Sequence, residues 1–361
     1  MVMMELLLFG KFLLSFLIAF YLIPKLIRVS NHYKMYDIPD NRKTHFTPVP
    51  FLGGVALYIA FHLTQHLNHM MNVEPPPFME LFGFCVVGNT LIGLGDDFFD
   101  YHPTRKFLVQ FFLCAVLLYF VPINLPFDAI LPLLKDIPFI NNALSILVLI
   151  GIINSFNLID GMDGLAVTLA LVTCTAYLIL FKIENNIYFL STVLSISGAL
   201  IAFLFYNRPK AMIFMGDSGS FMVGSILGIL TLVFISNGAS ENFSAGNRFQ
   251  LGFALIAIPS LDMVRLFLWR IIQRKSPFVG DNLHIHHLLQ SCGFSVPQTL
   301  AVIVLSQILL FIAAVAFQGE ANFLPFLVIT MIVYFMIIFY LKKRLDHKSG
   351  STNTRQVQQE S

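Results

Sequence analysis

L-F-G-F-C-V-V-G-N-T-L-I-G-L-G-D-D-F-F-D, Leu81 to Asp100, is an apolar run that stops abruptly at three carboxylates. Taking about 20 apolar residues as one bilayer crossing, the segment 79–95 reads as a membrane-spanning helix with its acids at the boundary. Charge left there without a partner is costly, so acids concentrated at that depth point to a bound cation, a substrate or an ion path. Two further motifs repeat the arrangement, N-S-F-N-L-I-D-G-M-D-G from Asn154 to Gly164 and M-G-D-S-G-S from Met215 to Ser220. Six of the twenty acidic residues, Asp96, Asp97, Asp100, Asp160, Asp163 and Asp217, fall in these three short stretches.

The rest of the chain has the same character. Hydrophobic residues make up 57%, charged residues only 12%, and the mean hydropathy is +0.78. Soluble domains carry roughly 25% charged residues, so the chain is expected to be all-α, a polytopic integral membrane protein. Eleven spans are expected, near 5–27, 51–71, 79–95, 106–122, 143–159, 164–182, 187–206, 219–236, 249–269, 298–317 and 323–341. The first run, Leu6 to Ile27, lacks a basic leader and a small-residue cleavage site, and reads as a retained span. Cys85, Cys114, Cys174 and Cys292 have no metal or disulfide spacing. A single transmembrane domain is expected over 1–348, followed by a polar, disordered tail over 349–361. No internal repeat is visible.

Orientation follows from Lys and Arg, which accumulate in cytoplasmic loops. With the N-terminus outside and the C-terminus cytoplasmic, eighteen of these residues lie inside and three (Lys135, Lys182 and Arg248) outside, while Lys11 sits within the first span. All three acidic motifs then face the cytoplasm, as do the loops 29–50 and 271–297.

Helical geometry brings the motifs into chemical groupings. If the helix through Leu94 continues past the boundary, Asp96 and Asp97 reach the azimuth of Asp100. Like charges that close raise one another's pKa or recruit a hard cation, and oxygen-only donors favour Mg2+ or Mn2+ over zinc. The plainer alternative is a solvated acidic helix end balanced by Arg105 and Lys106. Asn154, Asn157, Asp160 and Asp163 recur every three residues along one stripe or turn; polar packing between helices is the alternative for the two amides. Asp217 opens a span and could simply cap it, although Asn207, Arg208 and Lys210 just upstream form a cluster suited to an anion. Lys43, Thr44 and His45 precede the stiff T-P-V-P-F-L-G-G segment, which would hold Lys43 at the membrane surface. An ordinary positive-inside loop is the competing explanation. The late loop gathers Arg270, Arg274 and Lys275 with His284, His286 and His287, groups able to chelate a transition metal or to hydrogen-bond a diphosphate or sugar.

Five motifs in this order resemble the polyprenyl-phosphate N-acetylhexosamine-1-phosphate transferase family (MraY/WecA type, glycosyltransferase family 4) over nearly the whole chain. They are the Lys43 to Gly54 loop, Asp96-Asp97-x-x-Asp100, Asn154 to Leu165, Phe214 to Ser220, and the histidine loop. The resemblance implies transfer of a sugar 1-phosphate from a UDP-N-acetylhexosamine to a lipid acceptor, undecaprenyl or another polyprenyl phosphate. The products would be a polyprenyl-diphospho-sugar and UMP, a first step of cell-envelope glycan synthesis in the bacterial inner (plasma) membrane. His-Ile-His-His, in place of three consecutive histidines, favours the hexosamine branch over the phospho-MurNAc-pentapeptide branch and leaves open UDP-GlcNAc, UDP-GalNAc or a modified N-acetyl sugar, with UDP-GlcNAc the first choice.

The chemistry this implies needs a divalent cation, basic clamps and an oriented nucleophile. On this reading Mg2+ (or Mn2+) is held by Asp217 with the Asp96/Asp97 pair, and Asp96 or Asp97 deprotonates or orients the lipid phosphate, with Asp100 beside them. Asn154, Asn157, Asp160 and Asp163 hold metal or nucleotide, with Asn207 nearby. Lys43 neutralises phosphate, with His45 next to it. Arg270, Arg274, His284, His286 and His287 recognise sugar and diphosphate. No nucleic acid partner is expected, and a homodimer is compatible with the sequence. A transporter using the carboxylates as an ion path would instead place acids near the midplane in repeated halves.

Overall fold

In the computed structural model, residues 2–37, 48–70, 73–121, 123, 125, 138–276, 283–319 and 323–359 are described. Thirteen helices occur among them: α1 (Val2–Tyr33), α2 (Gly53–Gln65), α3 (Leu67–Met70), α4 (Met79–Phe99), α5 (Pro103–Phe120), α6 (Pro138–Ile159), α7 (Leu165–Ile183), α8 (Ile187–Asn207), α9 (Gly216–Ser236), α10 (Ala245–Ile272), α11 (Ile285–Ser291), α12 (Val296–Ala316) and α13 (Phe323–Gln359). One two-residue pair of strands, β1 (Tyr36–Asp37) and β2 (Val49–Pro50), runs antiparallel. The protein is an all-α polytopic membrane protein, because backbone polar groups in lipid must be satisfied within each segment.

Ten of the described helices are long and apolar enough to cross a membrane, against eleven expected. The difference lies at 51–71, where α2 has 13 residues and α3 has 4. α2 alone is about 20 Å long, but α2 and α3 together carry the chain from the Phe214–Met215 junction, which Gly53 and Gly54 join, to Asn68 beside Lys11 and Ser191. The expected placement of the two termini on opposite sides rests on this element. The backbone of α13 also runs helical to Gln359, through the segment expected to be disordered; no proline interrupts it after Lys342.

The bundle is organised around α9, the crossing segment of which is buried throughout. Its small residues let neighbouring backbones come close. A Cβ on Gly54 would lie 2.2 Å from the backbone nitrogen of Gly219, and one on Gly93 would lie 2.4 Å from the carbonyl oxygen of Asp217. Backbone hydrogen bonds complete the junction: Gly53 N and Gly54 N donate to Phe214 O and Met215 O, and Phe214 N donates to Pro50 O. The first turn of α9 is thus wedged between α2 and α4. α12 and α13, by contrast, expose Leu305, Leu309, Ile312, Ile332, Met336 and Phe339, as lipid-facing helices do. Lys11, inside α1, is buried and donates to Asn68 Oδ1 at 2.6 Å and to Ser191 Oγ at 2.7 Å.

Candidate active site

The ends of α4, α6, α7 and α9 that carry the three acidic motifs meet at one end of the bundle and wall a cavity of about 620 Å³. Asp96, Asp97, Asp100, Asn157, Asp160, Asp163, Asn207, Asp217 and His287 all line it, with Tyr36, Asp37, Phe51 and Phe214 contributed by the strand pair and the junction beside α9.

The three acids of the first motif take different tasks. α4 continues to Phe99, and Asp100 leaves it in the left-handed region at φ 47, exposed at the rim. Asp96 turns toward α5 and α9. Its Oδ1 accepts from Tyr101 N at 2.7 Å, and its Oδ2 lies 2.6 Å from Lys106 Nζ. The same ammonium reaches Asp217 Oδ2 at 3.3 Å. Asp97 points instead at the start of α9, where Oδ1 accepts from Asp217 N at 2.7 Å and Oδ2 from Ser218 N at 3.1 Å. It therefore caps a helix belonging to another motif, and a carboxylate at that N-terminus also opposes the positive end of the helix dipole. Asp217, for its part, does not cap its own helix: Met215 is the N-cap residue and gives no side-chain bond.

Asn157 Nδ2 donates to Asp217 Oδ1 at 2.8 Å and to Ser220 Oγ at 3.0 Å, so both oxygens of Asp217 are held, one by Asn157 and the other by Lys106. Asp163 and Asn207 shape the wall. Asp163 Oδ2 accepts from Lys210 N and Ala211 N at 3.0 and 3.1 Å. Asn207 Oδ1 accepts from Gly164 N at 3.0 Å while its Nδ2 donates to Ile213 O at 2.9 Å. Asn154 lies one turn back in α6 and donates to Gln110 Oε1 at 2.7 Å; its amide is used in packing α6 on α5, and it does not line the cavity.

Burial pushes the Asp160 carboxyl well above its ordinary value near 3.8, and the charges of Asp217, Asp97 and Asp163 push the same way. A carboxyl that holds its proton more tightly when folded contributes most to stability below pH 3.8, and that contribution is lost as pH rises through the folded-state value. Asp160→Asn is accordingly expected to raise the melting temperature of metal-stripped protein at neutral pH, with the gain vanishing in acid. Thermal unfolding with EDTA present, measured across that range, tests this.

Of the remaining expected residues, Arg270 is buried near the end of α10, while Arg274 follows it at φ 55 and is exposed. Neither lines the cavity. His286 is buried against Gly161, where a Cβ would lie 2.7 Å from its Nε2. Burial, followed by the neighbouring His287 and His284, lowers its pKa to about 3, so the ring is neutral at physiological pH. His284 stacks on that ring and pairs with a buried acid, Asp262, with Nδ1 2.7 Å from Oδ2, and it does not line the cavity. Lys43 and His45 lie outside the described residues.

Two groups central to this geometry do not stand out in the sequence reading. Lys106 enters there only as a counter-charge to a solvated helix end, although a lysine in the first turn of a span ten residues after Asp96 is a usable signal. Asp262 carries the same signal as the other acids, a carboxylate inside an apolar run, but it stands alone in its segment.

Oxygen-only donors are the type a small hard divalent cation takes. Among the described residues no three of His, Cys, Asp and Glu gather as ligands of one ion, and Asp97 is turned to the α9 backbone. What remains is the oxygen pair Asp96 and Asp217, already bridged by one cationic group. Mg2+ characteristically takes one or two carboxylates and completes its shell with water and substrate phosphate.

Residues 79–235 match glycosyl transferase family 4. The chain is 26% identical over 330 residues, 91% of its length and 89% of the relative's, to the probable undecaprenyl-phosphate N-acetylglucosaminyl 1-phosphate transferase of Bacillus subtilis. It is 30% identical over 238 residues, 61% of its length and 73% of the relative's, to the phospho-N-acetylmuramoyl-pentapeptide-transferase of Caldanaerobacter subterraneus. With the undecaprenyl-phosphate alpha-N-acetylglucosaminyl 1-phosphate transferase of Thermotoga maritima it shares 27% identity over 274 residues, 75% of its length and 78% of the relative's.

Proposed function

Because this chain belongs to glycosyl transferase family 4, the polyprenyl-phosphate N-acetylhexosamine-1-phosphate transferases, we propose that it transfers GlcNAc 1-phosphate from UDP-GlcNAc to undecaprenyl phosphate and releases UMP. The observation that carries this reading is the meeting of three separate motifs at Asp217, whose carboxylate shares the Lys106 ammonium with Asp96 and accepts from Asn157. Two anionic partners must meet there, and a site of paired carboxylates and fixed cations does for phosphoryl transfer what covalent groups do elsewhere.

In the proposed reaction an oxygen of the lipid phosphate attacks the sugar-bearing phosphorus, and the bond from that phosphorus to the bridging oxygen breaks, leaving UMP. Asp96 accepts the proton remaining on the acceptor phosphate. Lys106, within reach of both acids, stabilises the incoming charge. Asp217 and Asp96 would hold Mg2+ (or Mn2+), which when bound would neutralise charge on the transferred phosphate. Asp97 fixes the start of α9 and with it the position of Asp217. Phe51, Phe214 and Met162 give the cavity apolar surface beside these polar groups, as nucleotide-sugar sites require. We place the cavity on the cytoplasmic side of the bacterial plasma membrane, where UDP-sugars are available, on the eighteen-to-three distribution of basic residues.

The donor is tested by supplying the purified protein with undecaprenyl phosphate, Mg2+ and either UDP-GlcNAc, UDP-GalNAc or UDP-MurNAc-pentapeptide. UMP release is expected to be fastest with UDP-GlcNAc. Faster release with the pentapeptide donor would move the chain to the other branch.

A further inference from the structure

Asp262 is 1% exposed, sits within α10, and accepts more donors than any carboxylate in the cavity. Its Oδ2 pairs with His284 Nδ1 at 2.7 Å. Its Oδ1 accepts from Arg265 Nη2 at 2.8 Å, Tyr334 Oη at 2.9 Å and Ile285 N at 3.2 Å. Arg265 Nη2 also donates to Leu283 O. The groups facing His284 are therefore Asp262 and Arg265 from α10, Tyr334 from α13 and the His286 ring of α11, 5.8 Å away and nearly parallel. Taking a carboxylate out of water is costly, and these four donors offset that cost.

The task of this carboxylate is visible in what its bonds hold. His284, the N-cap residue of α11, gives no side-chain cap; Asp262 supplies one from another helix by accepting the Ile285 amide. It thereby fixes the first turn of α11, from which His286 packs on Gly161 and His287 lines the cavity. A carboxylate facing Nδ1 also selects the tautomer of the neutral ring: the proton sits on Nδ1 and not on Nε2.

We propose that Asp262 is a positioning residue for the transfer, holding His284 as its Nδ1–H tautomer and docking the start of α11 so that the histidine loop closes the cavity wall. This rests on the transferase reading above for its kinetic consequence but not for its spectroscopic one. In [15N]histidine-labelled protein in nanodiscs, the His284 signal is identified by its loss in His284→Gln. The wild-type spectrum, recorded without substrate at alkaline pH on the neutral ring, is expected to show a protonated Nδ1 and an unprotonated Nε2. A protonated Nε2 with bare Nδ1 overturns the proposal whatever the activity of the protein. Asp262→Asn is expected to abolish that tautomer preference and to lower kcat/KM by roughly 10- to 100-fold, whereas Tyr334→Phe, which leaves the Oδ2 bond intact, retains the tautomer. Because the asparagine oxygen can still accept from Ile285 N, Asp262→Asn/His284→Gln is expected to lose no more than His284→Gln alone. Additive losses would mark Asp262 as mere packing and would overturn the proposal. Failure of wild-type protein to release UMP would refute the transferase reading while leaving the tautomer result standing.

Discussion

Asp96→Asn is expected to lower turnover by about three orders of magnitude, the scale seen when one preorganised charge is removed from a transition state, while leaving the melting temperature nearly unchanged. The neutral amide keeps the size of the side chain and can still accept from Tyr101 N. What it loses is the charge facing Lys106 and the ability to take a proton from the acceptor phosphate. The adjacent residue gives the contrast. Both oxygens of Asp97 accept backbone N–H groups of α9, and an asparagine has one acceptor oxygen for the two. Asp97→Asn should therefore cost stability as well as activity, about 1–2 kcal/mol for the lost cap. Turnover and thermal unfolding of the two purified variants, measured side by side, separate the roles. If Asp97→Asn unfolds like wild type and Asp96→Asn turns over normally, the assignment of proton handling to Asp96 is wrong.

Gly93→Ala is expected to damage the site from outside it. The added methyl would meet Asp217 O at 2.4 Å, Asp217 C at 2.5 Å and Ser218 N at 2.6 Å, all backbone atoms with no rotamer to escape into. Overpacking of this kind costs about 1–3 kcal/mol. The larger effect is displacement: pushing the first turn of α9 away from α4 moves Asp217 relative to Asp96 and strains the Asp97 cap. A misplacement of about 1 Å at a reacting centre can cost 10²-fold in rate, and that is the loss expected here. Gly83→Ala, on the same helix but with nothing within 4 Å of the new methyl, is expected to behave as wild type. Equal activity of the two variants would contradict the view that close packing of α4 on α9 sets the geometry of the acids.

Much of this was readable from residue order because membrane proteins advertise their exceptions. Long apolar runs are long for one physical reason, and acids at their ends are rare enough to be noticed. That logic finds Asp96, Asp97, Asp160 and Asp217, which the fold gathers around one cavity. It misjudges what each does. Asp97 and Asp100 look equivalent to Asp96 in a helical projection, yet α4 ends at Phe99, one residue before Asp100, and the start of α9 lies beside Asp97. Neither fact is local to the motif. The three-residue recurrence through Asn154 cannot distinguish a side chain facing the cavity from one facing Gln110 on α5. The run 51–71 has the composition of a single crossing helix but is divided at His66 into two short ones. Lys106 and Asp262 are opposite failures: single ionisable groups that acquire meaning only from partners 111 and 22 residues away.

The most direct test of the central claim follows the phosphorus itself. Purified protein in nanodiscs is given UDP-GlcNAc labelled with 32P at the sugar-bearing phosphate, together with undecaprenyl phosphate and Mg2+. The account predicts that the label passes to the lipid in step with UMP release, that no UMP appears without the lipid acceptor, and that Asp96→Asn and Asp217→Asn both stop the transfer. Label that stays in the aqueous phase for every UDP-N-acetylhexosamine offered, or transfer that survives both substitutions, would contradict it.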